Sequence, residues 1–308
     1  MRLFGKTNID FMGKRKTWYT ISGTLILAGL VSLAFRGVEL GIDFLGGTEL
    51  VVGFERPVEI GQVRSAMDGI GLGRAEIKTF GNPRDILIRT SEQAAGTVVG
   101  DRIRDGLAAG FSGNPFTVLK EDKIGPKIGA ELRRDALYAV VASLLAIGLY
   151  VAFRFKFIYG LGAVAALFHD VLITLGIISI ATGLTQELNL EISQNMIAAF
   201  LTLVGLSIND TVVIFDRIRE NQKIFRSMGT IELINKSINE TLSRTIITSG
   251  TIFIVLMVLL VFGGEVNRGF AFALTIGIIT GTYSSIYIAS AVVVEWSERS
   301  QRGARLIK

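Results

Sequence analysis

Half of the 308 residues are apolar, 35 are glycine, none is cysteine, and the formal net charge is +5. So apolar a composition excludes a purely soluble protein, and the lack of cysteine excludes disulfides and thiolate metal sites. The positive charge calls for no nucleic acid, because it collects in short stretches beside long apolar runs, as in basic loops that face anionic lipid.

Six such runs stand at about 17–35, 136–153, 157–182, 195–215, 242–262 and 267–294. Each is near the twenty residues that a hydrocarbon core of roughly 30 Å requires, so the chain is expected to be a polytopic α-helical membrane protein. Residues 1–16 form a basic leader with Arg2, Lys6, Lys14, Arg15 and Lys16. The first run then reads either as a signal peptide, with Ser32-Leu33-Ala34 as the cleavage pattern, or as an anchor that stays. Its length and the even number of runs favour the anchor.

Residues 36–125 are the one stretch long enough for a separate folded domain. Ile42–Phe54 alternates as a strand does, and Val58–Ile70 places Ile60, Val63, Met67 and Ile70 on one helical side. Two strand-like runs, 77–80 and 86–90, are parted by Gly81-Asn82-Pro83; Ser91 is placed to cap a helix reaching about Ala109, and Phe116–Glu121 supplies a last strand. The order β-α-β-β-α-β predicts a small ferredoxin-like α+β domain with one apolar sheet face covered by two helices. Gly46-Gly47 at its entrance reads equally as a special backbone conformation or as a bulge. Nothing in the domain has a catalytic pattern.

The later runs carry the chemistry. An ionisable group at the centre of a bilayer costs about 2.5–3.5 kcal/mol on insertion scales, which makes each one a functional candidate. His169-Asp170 lies within the third run, Asn209-Asp210 near the end of the fourth, and Arg244 near the start of the fifth. At about 100° per residue, Thr202, Gly205, Asn209 and Asp216 share an arc of roughly 60°, with Asp210 on its shoulder. Thr241, Arg244, Thr245 and Thr248 share a side of the next span. Two polar stripes in lipid are expected to face one another or a wet cavity, which makes Asp210 and Arg244 the natural pair. A carboxyl balanced between desolvation and a cation can load and release a proton; the other reading is glue between helices. His169 equally suits a relay or a simple bond to a neighbouring helix, and Arg244 is close enough to the interface to snorkel. In the last run Gly269, Ala273, Gly277, Gly281, Ser285 and Ala289 recur every four residues, which predicts a close helix-packing seam.

Charge sets the expected orientation. Arg154 and Lys156, the segment with Arg217, Arg219, Lys223, Arg226 and Lys236, and the tail with Arg299, Arg302, Arg305 and Lys308 all fall on one side. The opposite loops hold Glu187, Glu191 and Glu265 without a base among residues 184–194 and 263–266. Lysine and arginine are retained on the cytoplasmic face, so residues 1–16 and the tail 295–308 are expected in the cytoplasm, residues 36–125 in the periplasm, and 126–294 as a five-helix bundle in the inner membrane. Asp216, Arg217, Arg219 and Glu220 then lie at the cytoplasmic surface. No nucleotide or metal chemistry accompanies this. Gly5-Lys6-Thr7 lacks the upstream glycine of a P-loop, Gly69, Gly71 and Gly73 end in Arg74 rather than the last glycine of GxGxxG, and HExxH is absent. No cofactor is expected, and an ion gradient is the remaining source of work.

Several motifs in order carry a resemblance: GIDFLGGTEL at 41–50, IGPKIGAEL at 124–132, His169-Asp170, SINDTVVIFDRIREN at 207–221 and TLSRTIITS at 241–249. End to end, the chain resembles the SecD–SecF family of bacterial protein-export membrane proteins, within the resistance-nodulation-division superfamily. Leu206 departs from the aromatic residue of the family form. The resemblance implies a non-enzymatic half-unit of six spans that joins a SecD partner into a twelve-span body. That body would associate with the SecYEG channel, with YajC and YidC as further partners, and use the proton motive force on a translocating polypeptide after the ATP-driven motor SecA. It further implies Asp210 as the proton-carrying carboxylate, Arg244 as its charge partner, and Asn209, Asp216 and Arg217 as supporting residues. The alternative is a half-unit of a proton-driven small-molecule or lipid exporter of the same superfamily.

Overall fold

The structure is a computed structural model and describes residues 7–306 other than 93, 95, 96, 156 and 185–189. Arg2, Lys6, Lys156, Glu187 and Lys308 of the charge pattern lie outside the described residues, as do the side chains of Arg302 and Arg305.

Among the described residues, six helices are long and apolar enough to cross a membrane. They are α1 (Arg15–Arg36), α5 (Pro126–Arg154), α6 (Phe157–Leu184), α7 (Gln194–Ile224), α8 (Thr230–Phe262) and a last span in three parts, α9 (Gly264–Ser284), a π-helical segment Ser285–Ala289 and α10 (Ser290–Leu306). Several overshoot the apolar runs that predict them. Pro126 starts α5 from the first helical turn, where its missing N–H is no loss, and α8 starts at Thr230 rather than near 242. An apolar run marks only the part that lies in lipid; backbone hydrogen bonding carries a helix past it. The π segment also breaks the four-residue rhythm of the last span, since one wider turn shifts every later side chain around the axis.

Between α1 and α5 lies the α+β unit. Ile42–Leu45 is a single helical turn, α2, and not the beginning of a strand. The break is backbone-driven: Gly46 and Gly47 have φ of 71° and 132°, and a Cβ on Gly47 would strike the Thr90 carbonyl. The glycine pair is therefore a backbone requirement. Strand β1 (Gly47–Phe54) follows, then α3 (Ile60–Gly69), β2 (Glu76–Phe80), β3 (Asn82–Thr90), α4 (Val98–Gly110) and β4 (Phe116–Ile124). The sheet order is β2-β3-β1-β4 with every pairing antiparallel. Ser91 does not cap α4. The Thr90 hydroxyl accepts the Glu92 N–H at 3.1 Å, a local turn that competes with helix initiation, and α4 starts at Val98. Leu50, Val52 and Phe54 of β1, with Ile86 and Ile88 of β3 and Ile77 of β2, meet Val63 and Met67 of α3 and Val99, Ile103 and Leu107 of α4 in one core. This is the period-two face of the strands against helical stripes.

Glycine sets the spacing of the helices. A Cβ on Gly29 of α1 would lie 2.6 Å from the Gly176 Cα of α6, so this crossing admits no side chain on either helix. Trp18 of α1 stacks on Tyr283 and Tyr287, with ring centroids 5.2 and 4.6 Å away. Ahead of α1 the chain lies along α8. There Asn235 Oδ1 accepts the N–H groups of Phe11 and Met12 at 3.0 and 2.9 Å, and Asn239 Oδ1 accepts that of Ile9 at 2.9 Å. Within this segment Asp10 accepts the Gly13 N–H and the Asn235 amide, which hold its carboxyl below the ordinary carboxylate range.

Candidate functional site

Among the described residues two carboxylates sit inside the bundle, in different surroundings. Asp170 is 0 % exposed and accepts hydrogen bonds from Ser207 Oγ at 2.6 Å and Ser284 Oγ at 2.8 Å, with His169 Nδ1 at 2.9 Å from its other oxygen. Nε2 of His169 meets Ser22 Oγ at 2.8 Å and the Tyr283 hydroxyl at 3.0 Å. An ionised Asp170 only accepts, so Nδ1 carries a proton towards it and Nε2 of a neutral ring accepts from a hydroxyl. The network ties α1, α6, α7 and α9 together, and the π segment starts directly after Ser284. His169 and Asp170 stand out in the sequence, but none of their partners does.

Asp210 of α7 is 5 % exposed, and its direct partner is Ser249 of α8, whose hydroxyl donates at 2.9 Å. Ser207 and Asp210 are three residues apart, about 4.5 Å of helical rise, so one helix carries a contact to each carboxylate. Arg244 does not form the expected ion pair: among the described residues none within 4 Å joins it to Asp210, and it is exposed. Its charge still acts on Asp210 through space. The polar arc of α7 is rotated from the expected position. Thr202, Gly205 and Asn209 are exposed, and the shoulder residue Asp210 is the one turned inward. Periodicity fixes residues relative to each other around a helix; the rotation of the helix is set by packing. Thr245 is buried with a hydroxyl that has no hydrogen-bond partner among the described residues, Thr241 is buried, and Thr248 is half-buried. Ser249 continues the spacing of Thr241 and Thr245, and that four-residue run of hydroxyls is the signal that could have found it.

At the basic end, Asp216 pairs with Arg154 at 3.4 Å, and Arg217 pairs with Glu240 at 2.6 Å and Glu220 at 2.8 Å. Asn221 is fully buried and donates to Ser237 and Glu240 at 2.9 and 2.8 Å, which fastens α7 to α8. In the last span a Cβ on Gly277 would strike the Leu203 side chain of α7, and one on Gly281 would lie 3.2 Å from Ser207 Cβ. Ala273 is buried on the same side, and Gly269 is half-buried. Among the described residues no three histidine, aspartate or glutamate side chains gather as a metal site.

The glycine pair and the bundle both have recognisable relatives. Residues 31–58 match the SecD/SecF GG motif, and residues 107–299 match the C-terminal part of the protein export membrane proteins SecD and SecF. The protein translocase subunit SecF of Rhodothermus marinus is 47% identical over 306 residues, covering 99% of both chains. That of Desulfurispirillum indicum is 45% identical, covering 94% of this chain and 92% of its own. The crystal structure of a Thermus SecDF, a translocon-associated membrane protein, superposes with a TM-score of 0.84 at 39% identity. It covers 95% of this chain, which spans 39% of the solved one. A SecDF in a super-membrane-facing form gives a TM-score of 0.73 at 38% identity. The chain belongs to the SecD/SecF family of protein-export membrane proteins, among the SecF subunits of the Sec translocase, as one part of a SecDF complex.

Proposed function

We propose that the chain, joined to SecD, uses the proton motive force to complete preprotein translocation through SecYEG after the ATP-driven SecA step, with Asp210 as the proton-carrying group. The observation that carries this reading is a buried carboxylate within a membrane-crossing helix, bonded by one hydroxyl, with a cation nearby that is not locked into an ion pair with it. Such a group changes charge at far lower structural cost than Asp170, which is bonded on both oxygens. The basic end faces the cytoplasm of an inner membrane, and the α+β unit stands in the periplasm. Exposed Thr202, Gly205, Asn209 and Arg244 form a polar face on lipid-length helices, which SecD covers.

In this cycle a proton reaching Asp210 from the periplasmic side cancels its attraction to Arg244 and lets α7 shift against α8. Ser249 holds the carboxyl in place, and Thr245 and Thr248 line the path on α8. His169 and Asp170 form the second protonatable pair, linked to α7 through Ser207. Release to the cytoplasm resets the helices. One charge crossing the full potential gains about 2.3 kcal/mol per 100 mV, whereas moving a two-state population from 1:99 to 99:1 takes about 5.5 kcal/mol. More than one proton therefore moves per stroke, and SecD supplies a further site.

The test is Asp210→Asn in proteoliposomes with the full translocase, measuring completion of translocation with and without a proton gradient. The variant is expected to keep the ATP-driven part and lose the gradient-dependent increment. A full increment in Asp210→Asn overturns the proposal.

A further inference from the structure

The sheet of the α+β unit has a second face, opposite the helices, and it is charged. Glu76, Arg89, Glu49 and Asp122 stand in register across β2, β3, β1 and β4. Arg89 is 7 % exposed and Glu49 3 %. Arg89 donates to Glu49 from Nε at 3.1 Å and to Glu76 from Nη1 at 3.2 Å, and Lys120 reaches Glu49 at 3.1 Å. Burial works against the charge on Arg89, but the carboxylates of Glu191 and Glu49 outweigh it and raise its pKa. The partner from outside the sheet is Glu191, which belongs to the connection between α6 and α7. Both its oxygens meet the guanidinium, Oε1 at 2.8 Å from Nη2 and Oε2 at 2.6 Å from Nη1. Nη2 donates to Oε1, whereas Oε2 meets Nη1 as a close charge contact without hydrogen-bond geometry, so one charge-assisted bond and one ion-pair contact hold Glu191 to Arg89.

Backbone bonds surround this ion pair. Leu40 and Ile192 pair as a short parallel bridge, in which Gly41 N donates to Ile192 O at 2.9 Å and Ile192 N to Glu39 O at 2.7 Å. Asp43 accepts the Gln194 N–H at 2.7 Å, at the first residue of α7. The unit is thus fastened to the end of the helix that carries Asp210. From Gln194 to Asp210 that helix is uninterrupted, about 24 Å long at 1.5 Å per residue, and stiff enough to transmit a displacement. The turn at Gly81 also lies against Glu265, where a Cβ would be 2.7 Å from its Cγ, and α5 packs on the entrance of the unit, where a Cβ on Gly129 would be 3.1 Å from Gly46 N.

We propose that Arg89 and Glu191 are positioning residues of the transport cycle, forming a permanent joint through which α7 carries the α+β unit as one rigid body. This rests on the proton-coupled reading above. A displacement of α7 at Asp210 then swings the unit at the far end of the same helix, and the joint itself never opens.

Glu191→Ala leaves Arg89 its bonds to Glu49 and Glu76, so the sheet keeps its internal pairs. In proteoliposomes with the full translocase, it is expected to cut the gradient-dependent increment at least fivefold while the ATP-driven part persists. The natural chain has no cysteine, so Leu40→Cys with Ile192→Cys offers one pair for oxidation across the bridge. In the Glu191→Ala background the oxidised pair is expected to restore the increment, and reductant to remove it again. In the natural background oxidation is expected to change nothing. An unaltered increment in Glu191→Ala, a formed cross-link that fails to restore it, or a cross-link that blocks export in the natural background each overturns the joint. The last outcome does not depend on how Glu191→Ala folds. A natural chain without any gradient-dependent increment would instead sink the proton-coupled reading.

Discussion

Asp170 and Asp210 lie on neighbouring helices, and what separates them is the number of donors each receives. Asp170 is bonded by His169, Ser207 and Ser284, whereas Asp210 is bonded by Ser249. Deleting the first leaves two hydroxyls and an imidazole without their acceptor in a fully enclosed space, so Asp170→Ala is expected to cost about 3–5 kcal/mol. Asp210→Asn keeps an acceptor for Ser249 and is expected to cost less than about 1.5 kcal/mol. Unfolding temperatures of the two purified variants in detergent should fall in that order. Both carboxylates were legible in the sequence because a charge in an apolar run is expensive. Ser22, Ser207, Ser249 and Ser284 were not, because a serine in such a run costs little and its partner is chosen by the rotation of a distant helix. The same blindness to rotation explains why Arg244 was expected against Asp210 and is found exposed.

Among the elements, α1 and α6 depend on a contact with no side chain in it. With Gly29 against Gly176, a larger residue must push the helices apart, which also strains the Ser32 to Ser179 bond of 2.8 Å nearby. Gly176→Leu is expected to destabilise the chain by about 1–3 kcal/mol, whereas Gly23→Leu, on the same α1 but with nothing within 4 Å, should be tolerated. Detergent unfolding of the two variants checks this. The six crossings were legible from apolar length, but their ends were not, since hydrogen bonding continues α5 and α8 beyond the lipid-matched part. In the run of small residues, Gly277 and Gly281 stand where α7 comes close. Beyond them a π segment, for which no residue in that stretch is diagnostic, shifts the later side chains around the axis, and Ser285 and Ala289 are both fully buried there. In the α+β unit the period-two pattern of β1 and β3 gave the helix-covered face. The opposite face was hidden, since Arg89 within ILIRT reads as an ordinary outward strand residue until Glu191 is brought to it by the fold.

Taken whole, the molecule has a lipid-facing side and a side that lipid does not suit. Leu137, Leu145, Leu149 and Phe153 on α5 are exposed and apolar, as a membrane surface demands, whereas Thr202, Asn209 and Arg244 on α7 and α8 are exposed and polar. In the proposed cycle one mechanical line runs from the α+β unit through Arg89 and Glu191 into α7 and on to Asp210. The line has a purpose only if Asp210 changes charge while the protein works. Infrared difference spectroscopy of the SecD-bound protein in lipid, recorded across a pH step, observes that event directly. A protonated buried carboxyl band that appears on acidification, and is missing in Asp210→Asn, is the expected result. A band that persists unchanged in Asp210→Asn, or a natural protein that shows no carboxyl band changing between pH 5 and 8, would contradict it.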